Sequence, residues 1–393
     1  MTSDLSIFAA RLREFIDICA SEFALGGQDF DPAPMAHNDA EFNGLAMVLF
    51  ALQFSHNPTY RKFCEARNVS PDSLTHWTQI PAVPTSVFKE LEFSCLPTGQ
   101  RMTVFHSSRT TEQRPSRHFH NTESLAVYEA SALAFFDLHL GRLGTPLMLT
   151  PPPAQAPRSS LVHMFEEIRR DRALPESVFA GCLTTGQAWT LDFDTVVREI
   201  NAACENSAPL LLLGTAFSFV HLLDFLAEKN LRFKLPPGSR AMETGGYKNR
   251  SRTLPKPELH ALITERLGIL PSQIICEYGM SELSSQAYDT VASGGRRVTR
   301  GANTSHHPPP VTRHFHFPPW ARSQIIAPET GHEVAEGETG LLRVFDLANV
   351  FSVMAIQTED LAIRRGSGFE LVGRARSAEP RGCSLTSVES LNR

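Results

Sequence analysis

The chain has 393 residues, of which 42% are hydrophobic and 20% charged, with a formal net charge of −5. That is the composition of a soluble globular protein long enough for a main domain plus a smaller one. The negative balance gives no electrostatic reason to expect nucleic acid or an anionic membrane as partner, so a small-molecule substrate is expected. Seven cysteines without a CxxC pair read as reduced thiols of a cytoplasmic protein, not as a disulfide framework or a zinc site.

The N-terminal stretch DLSIFAARLREFIDICASEFAL lacks the basic cluster and apolar run of a secretory signal. It spaces Leu5, Phe8, Leu12, Phe15 and Ile16 along one helical face, with Asp4 as N-cap. Helices are expected to dominate residues 1–100. In IPAVPTSVFKELEF, Pro81 and Pro84 force an extended run.

From there, short apolar runs alternate with helical patterns: TPLMLTPPP, LVHMFEEIRR, APLLLLG with its helix, QIICEYG. Alternation of this kind predicts βαβ units and a mostly parallel sheet. The most membrane-like stretch, APLLLLGTAFSFVHLLDFLA, is interrupted by His221, Asp224 and a Gly-Thr turn, so it reads as a buried strand over 210–213 followed by a helix, with no membrane span. Phe217, Phe219 and Leu222 on that helix are either core residues or walls of an apolar pocket. GANTSHHPPPVTRHFHFPPW, residues 301–320, has no period and reads as a long ordered loop whose histidines match no ligand spacing. Beyond residue 341 the sequence turns β-rich, with GSG at 366–368 as a hairpin turn.

Four stretches carry chemistry. In FHSSRTTEQRPSRH, the hydroxyls of Ser107, Ser108, Thr110 and Thr111 crowd one spot, but Arg109 and Glu112 stand where a phosphate-cradling loop ordinarily has glycine. METGGYKNRSR places Gly245 and Gly246 where a backbone could approach a flat or anionic ligand, beside Tyr247 and three cations; a solvated turn has the same composition. In ICEYGMSELSSQAYD, a strand delivers Tyr278, Gly279, Met280, Ser281 and Glu282 to the edge where open α/β sheets bind ligands. The Tyr278 ring could cover a purine, Ser281 could bond a phosphate and Glu282 could ligate Mg²⁺, or Ser281 could simply cap a helix. The last stretch, 358–385, offers Asp360 for ribose hydroxyls, Arg374 for ribose or phosphate, and Cys383, whose neighbours Arg376 and Arg381 would favour the thiolate; a buried inert thiol is the alternative.

Taken in order from IPAVPTSVFK through SSRTTEQRPSRHF, GTAFSFVHLLDF, METGGYKNRSR, EYGMSELSSQAYD, PPWARSQIIAPETG and DLANVFSV to TEDLA and GRARSAEPRGCSL, these strings resemble the LuxE-type acyl-protein synthetases, a branch of the AMP-forming adenylating enzymes. The resemblance implies an α/β fold: an adenylating-enzyme-like domain over 1–340 and a small β-rich subdomain over 341–393 with an acyl-acceptor loop, lacking the full mobile C-terminal domain. It implies ATP and Mg²⁺ as cofactors, activation of a fatty or similar apolar acid as acyl-AMP, transfer to Cys383, and a partner acyl reductase, carrier or transferase. Gly245, Gly246, Tyr278 and Gly279 would line the adenine pocket, with Tyr247 and Met280 beside them. Ser281 would hold the α-phosphate, Glu282 Mg²⁺, and Asp360 and Arg374 the ribose.

The family's phosphate loop reads close to SSGTTG, so Arg109 and Glu112 replace both glycines. A non-glycine residue in a left-handed conformation costs about 1–2 kcal/mol, whereas a charge-assisted bond from Arg109 to a phosphate is worth about 1.5–3 kcal/mol. Arg109 could therefore be a replacement clamp, while Glu112 argues for weakened ATP use. A non-adenylating acyl-relay subunit and an aryl or short-chain acid-CoA ligase are the alternative functions.

Overall fold

A computed structural model describes residues 3–26, 39–107, 114–174, 176–184, 189–245, 254–291 and 313–375. Its helices are α1 (Asp4–Gly26), α2 (Asp39–His56), α3 (Pro58–Glu65), α4 (Thr122–Leu140), α5 (Ser160–Asp171), α6 (Phe193–Asn206), α7 (Ala216–Glu228) and α8 (Lys256–Leu267). The strands are β1 (Val83–Pro84), β2 (Thr103–His106), β3 (Arg117–His120), β4 (Thr145–Met148), β5 (Val178–Phe179), β6 (Gly181–Leu183), β7 (Trp189–Leu191), β8 (Leu210–Thr215), β9 (Arg240–Thr244) and β10 (Ile274–Tyr278). They continue with β11 (Ala287–Val291), β12 (Arg313–His316), β13 (Ala321–Ile326), β14 (Thr339–Asp346), β15 (Ala355–Arg365) and β16 (Gly368–Arg374).

Local sequence fixes many of the helix ends. Ser3, not Asp4, caps α1, accepting the Ser6 amide at 3.2 Å. Asn57 caps α3 ahead of Pro58, a reciprocal pair of Asn121 and Ser124 caps α4, and Thr215 caps α7. Each satisfies amides that a helix start leaves without partners.

Twelve of the described strands form one sheet in the order β13-β14-β15-β16-β12-β11-β10-β9-β8-β4-β5, with β1 beside β15. From β5 to β10 neighbours run parallel; from β10 to β13 they run antiparallel. Period-two alternation along β8 sets the two layers. Leu211 and Leu213 pack with α1, α4 and α5, while Leu210 and Leu212 pack with α6, α7 and α8. The α/β architecture is as expected, but the sheet is mixed and not mostly parallel: the parallel βαβ part ends at β10, and the β-rich remainder joins the same sheet by antiparallel pairing.

Two further expectations are corrected. The stretch 301–320 is not one long loop: Arg313–His316 forms β12, paired on both sides by β11 and β16, and the flanking prolines hide its short R-H-F-H alternation. Ser281 caps no helix, because the segment between β10 and β11 is a succession of turns. The hairpin turn at 366–368 is present, with Gly366 at φ +57° and Arg365 opposite Gly368. The expected domain boundary at 340 falls inside β14, which pairs with β13 and β15 in the common sheet.

Candidate active site

The parallel strands β8, β9 and β10 end side by side at Thr215, Thr244 and Tyr278, so the residues just beyond them share one edge. Gly245 leaves β9 at φ +73°, and none of the described residues lies within 4 Å of where a Cβ would stand. Gly279 is glycine for another reason, because a Cβ would collide with the Glu277 carboxylate.

Tyr278 is 7% exposed. Its ring is edged by Phe315, Phe317 and Phe369, with centroids 6.2, 6.3 and 5.6 Å away, and its hydroxyl donates to Asp360 Oδ2 at 2.8 Å. Asp360 pairs across β15 and β16 with Arg374, whose Nε lies 3.5 Å from Oδ1. Burial raises the Asp360 carboxyl above its ordinary value, partly offset by Tyr278 and Arg374. The Arg374 side chain is 74% exposed and can move toward a ligand. Tyr278, Asp360 and Arg374, far apart in sequence, therefore meet in one place.

Glu282 forms the second half. Ser116 Oγ donates to Glu282 Oε1 at 2.6 Å, and His118 Nε2 lies 3.8 Å from the same oxygen. Burial alone would push the Glu282 carboxyl up, but His118 and Ser116 more than offset it and hold it below its ordinary value. Ser116 also faces Ser107: the Ser107 amide donates to Ser116 O at 3.3 Å, and the Ser116 amide donates to Ser107 Oγ at 3.0 Å. The two ends of the hydroxyl-rich loop are thus closed against each other and fastened to Glu282, 166 residues further along.

The turn carrying Ser281 and Glu282 is held from below. Asp346 accepts the amides of Ser284 and Ser285 at 2.8 Å each, and Asn349 donates to Glu282 O at 2.8 Å. Gln53 of α2 reaches through the core to Asn349 O at 2.7 Å and accepts the Met354 amide at 3.0 Å. A small cleft next to Glu282 is lined by His118, His120, Ser281, Ser284, Asn349 and Phe351, among others. Burial presses His120 down to about 3, so it is neutral there.

Ser108, Arg109, Thr110, Thr111, Glu112, Gly246, Tyr247 and Cys383 lie outside the described residues. Met280 lies in the described turn region and packs against the larger core. Phe219 and Leu222 are fully buried in the α6–α8 layer, which makes them core. Sequence reading missed Ser116, His118, Asp346, Asn349 and Gln53. Ser116 and His118 stand in the return half of the hydroxyl-rich stretch, and Asp346 and Asn349 in DLANVFSV.

A large mixed sheet with helices packed on both faces of its parallel part is the architecture of adenylating enzymes. Solved structures of 2-hydroxyisobutyryl-CoA ligase share it. One in the thioesterification state, with 2-HIB-AMP and CoA, matches at a TM-score of 0.60 and 15% identity over 87% of this chain and 70% of that one. An open conformation matches at 0.56 and 15% identity over 86% and 76%. The model of the LuxE acyl-protein synthetase family matches residues 183–392. The chain belongs to the LuxE family and is an AMP-forming acyl-protein synthetase. Two curated relatives, both named long-chain-fatty-acid–luciferin-component ligase, come from Aliivibrio fischeri and Vibrio harveyi. The first is 24% identical over 87% of this chain and 86% of the relative; the second is 21% identical over 86% and 84%. Among the described residues no helix is long and apolar enough to cross a membrane.

Proposed function

We propose that this synthetase activates a long-chain fatty acid with ATP and passes the acyl group to its own Cys383, from which a partner reductase or acyltransferase draws it. The reading is supported most by one observation: the stem of the hydroxyl-rich loop, Ser107 and Ser116, is fastened to Glu282, on the same strand edge as Asp360, Tyr278 and Arg374. In this reading the loop, the carboxylate and the ribose-type acceptor would address one nucleotide triphosphate.

In the first half-reaction a carboxylate oxygen of the acid attacks the α-phosphorus of ATP, and the bond to pyrophosphate breaks. Asp360, steadied by Tyr278, would accept the ribose hydroxyls, and Arg374 would close over the ribose. Gly245, Gly246, Tyr247, Gly279 and Met280 would shape the adenine side, and Ser281 would bond the α-phosphate. Ser107, Ser108, Arg109, Thr110 and Thr111 would cradle the departing phosphates. Glu282, ionised and oxygen-donating, fits a hard divalent cation; Mg²⁺ held there would neutralise triphosphate charge. In the second half-reaction the Cys383 thiol gives its proton to solvent, its sulfur forms the bond to the acyl carbon, and AMP leaves.

The test is to incubate the protein with labelled palmitate and ATP. Label should remain on the protein, neutral hydroxylamine should release it, and Cys383→Ser should abolish it while sparing pyrophosphate exchange. Label only on added CoA would establish a CoA ligase. Label that requires a preformed acyl-thioester and ignores ATP would establish a relay subunit. Label persisting in Cys383→Ser would move the acyl site to another cysteine.

A further inference from the structure

Two residues before Tyr278, and on the same face of β10, three side chains of different elements converge in the core. Glu243 of β9 is fully buried, His260 of α8 is 7% exposed, and Cys276 of β10 is fully buried. Cys276 Sγ lies 2.9 Å from Glu243 Oε1 and 3.6 Å from His260 Nε2; His260 Nε2 lies 3.5 Å from Glu243 Oε1. A carboxylate, an imidazole and a thiol in mutual contact form the mixed donor set that borderline-soft divalent cations take.

The spacing agrees with that chemistry. Zinc bonds of about 2.3 Å to sulfur and about 2.0–2.2 Å to nitrogen and oxygen give a tetrahedral face with edges of about 3.3–3.6 Å. Two of the three edges already have that length, and the third is shorter because the thiol donates a hydrogen bond to the carboxylate. Glu243 Oε2 is buried without a hydrogen-bond partner among the described residues, an uncommon condition for a carboxylate oxygen in a core. The cluster is also next to a movable charge. Lys256 Nζ sits 2.7 Å from Glu243 Oε1, but its side chain is 40% exposed at the first turn of α8.

We propose that Glu243, His260 and Cys276 form a binding site for a zinc-class divalent cation, with water as fourth ligand in the place Lys256 now occupies. On binding, the Cys276 thiol loses its proton to solvent, the Lys256 ammonium swings outward, and two anionic ligands balance the dication. The cation would pin α8 to β9 and β10, the two strands that end at Gly245 and Gly279 of the candidate active site. Sequence spacing conceals the site, because its ligands come from three elements and form no short motif.

Cobalt alone is the probe, added to the metal-free full-length protein. One equivalent of Co²⁺ should give the intense visible bands of tetrahedral coordination and a near-ultraviolet thiolate-to-cobalt band. Cys276→Ser should remove the near-ultraviolet band and weaken binding by about a hundredfold or more. Lys256→Met, with no ammonium to displace, should tighten binding by about tenfold. His260→Gln, checked for a cooperative thermal transition, guards against a misfolded cysteine variant and should also weaken binding. No saturable binding to wild type or Lys256→Met, an octahedral spectrum, or a thiolate band that survives in Cys276→Ser would each overturn the proposal.

Discussion

At Asp360 two neighbours of opposite exposure share one carboxylate. Tyr278 is buried and bonds Oδ2 at 2.8 Å; Arg374 is solvent-facing at 3.5 Å from Oδ1. The buried partner sets the carboxylate's orientation, because an exposed ion pair contributes little to holding a side chain still. A hydrogen bond to a charged group is worth about 1.5–3 kcal/mol, so Tyr278→Phe should lower kcat/KM for ATP by roughly ten- to hundredfold, mostly through KM, with little loss of fold. Steady-state kinetics of the adenylation half-reaction check this. Unchanged ATP kinetics in Tyr278→Phe would mean that Asp360 does not face the nucleotide. This residue-scale logic was partly legible in the sequence. Tyr278, Asp360, Arg374 and Glu282 stand in strings that chemistry marks. Ser116 and Asn349 act by hydrogen bonds across 166 and 67 residues, which no local pattern reveals.

At the scale of elements, α7 turns two candidate pocket residues into core. Phe219 and Leu222 are fully buried with Leu210 and Leu212 in the layer that α6, α7 and α8 share, so Phe219→Ala should cost about 3–5 kcal/mol of stability. It should leave the preference among acyl-chain lengths as in wild type. Urea unfolding and a chain-length series separate the two effects; a shifted chain-length optimum with undiminished stability would place Phe219 in the acyl pocket. The α7 pattern and the β8 run were readable because both are long and periodic. Strand β12 was not, since its four residues, Arg313–His316, are held by pairing with β11 and β16 and not by any propensity of their own. The cap of α1 slipped by one residue for a similar reason: Ser3 and Asp4 are both competent caps.

For the molecule as a whole, three buried titratable groups pull its stability in opposite directions with pH. Burial lowers His120 to about 3 and His139 to about 4, so both stay neutral in the fold while the unfolded chain takes up protons below about 6.5. Their contribution is complete above that value and is lost as pH falls toward 4 and 3. Burial raises Glu277 to about 7. The fold keeps that proton where the unfolded chain has lost it, so its contribution is complete below about 4.5 and declines as pH rises through 7. Each group changes the slope by at most about 1.4 kcal/mol per pH unit. Stability difference curves from urea titrations should therefore diverge between about pH 4.5 and 7 for Glu277→Gln, the variant gaining on wild type toward alkaline pH. For His139→Gln they should diverge between pH 6.5 and 4, the variant gaining toward acid. Parallel curves for either variant would contradict the assigned protonation state.

The central claim is that the edge carrying Glu282, Asp360 and Tyr278 adenylates a carboxylic acid, and exchange of radiolabelled pyrophosphate into ATP tests it most directly. A long-chain fatty acid should drive exchange in the wild-type protein, and Glu282→Gln should reduce the rate at saturating ATP by about a hundredfold or more, because the lost carboxylate acts where charge develops. Folded wild-type protein that exchanges with no acid from acetate to palmitate, or exchange indifferent to Glu282→Gln, would contradict it.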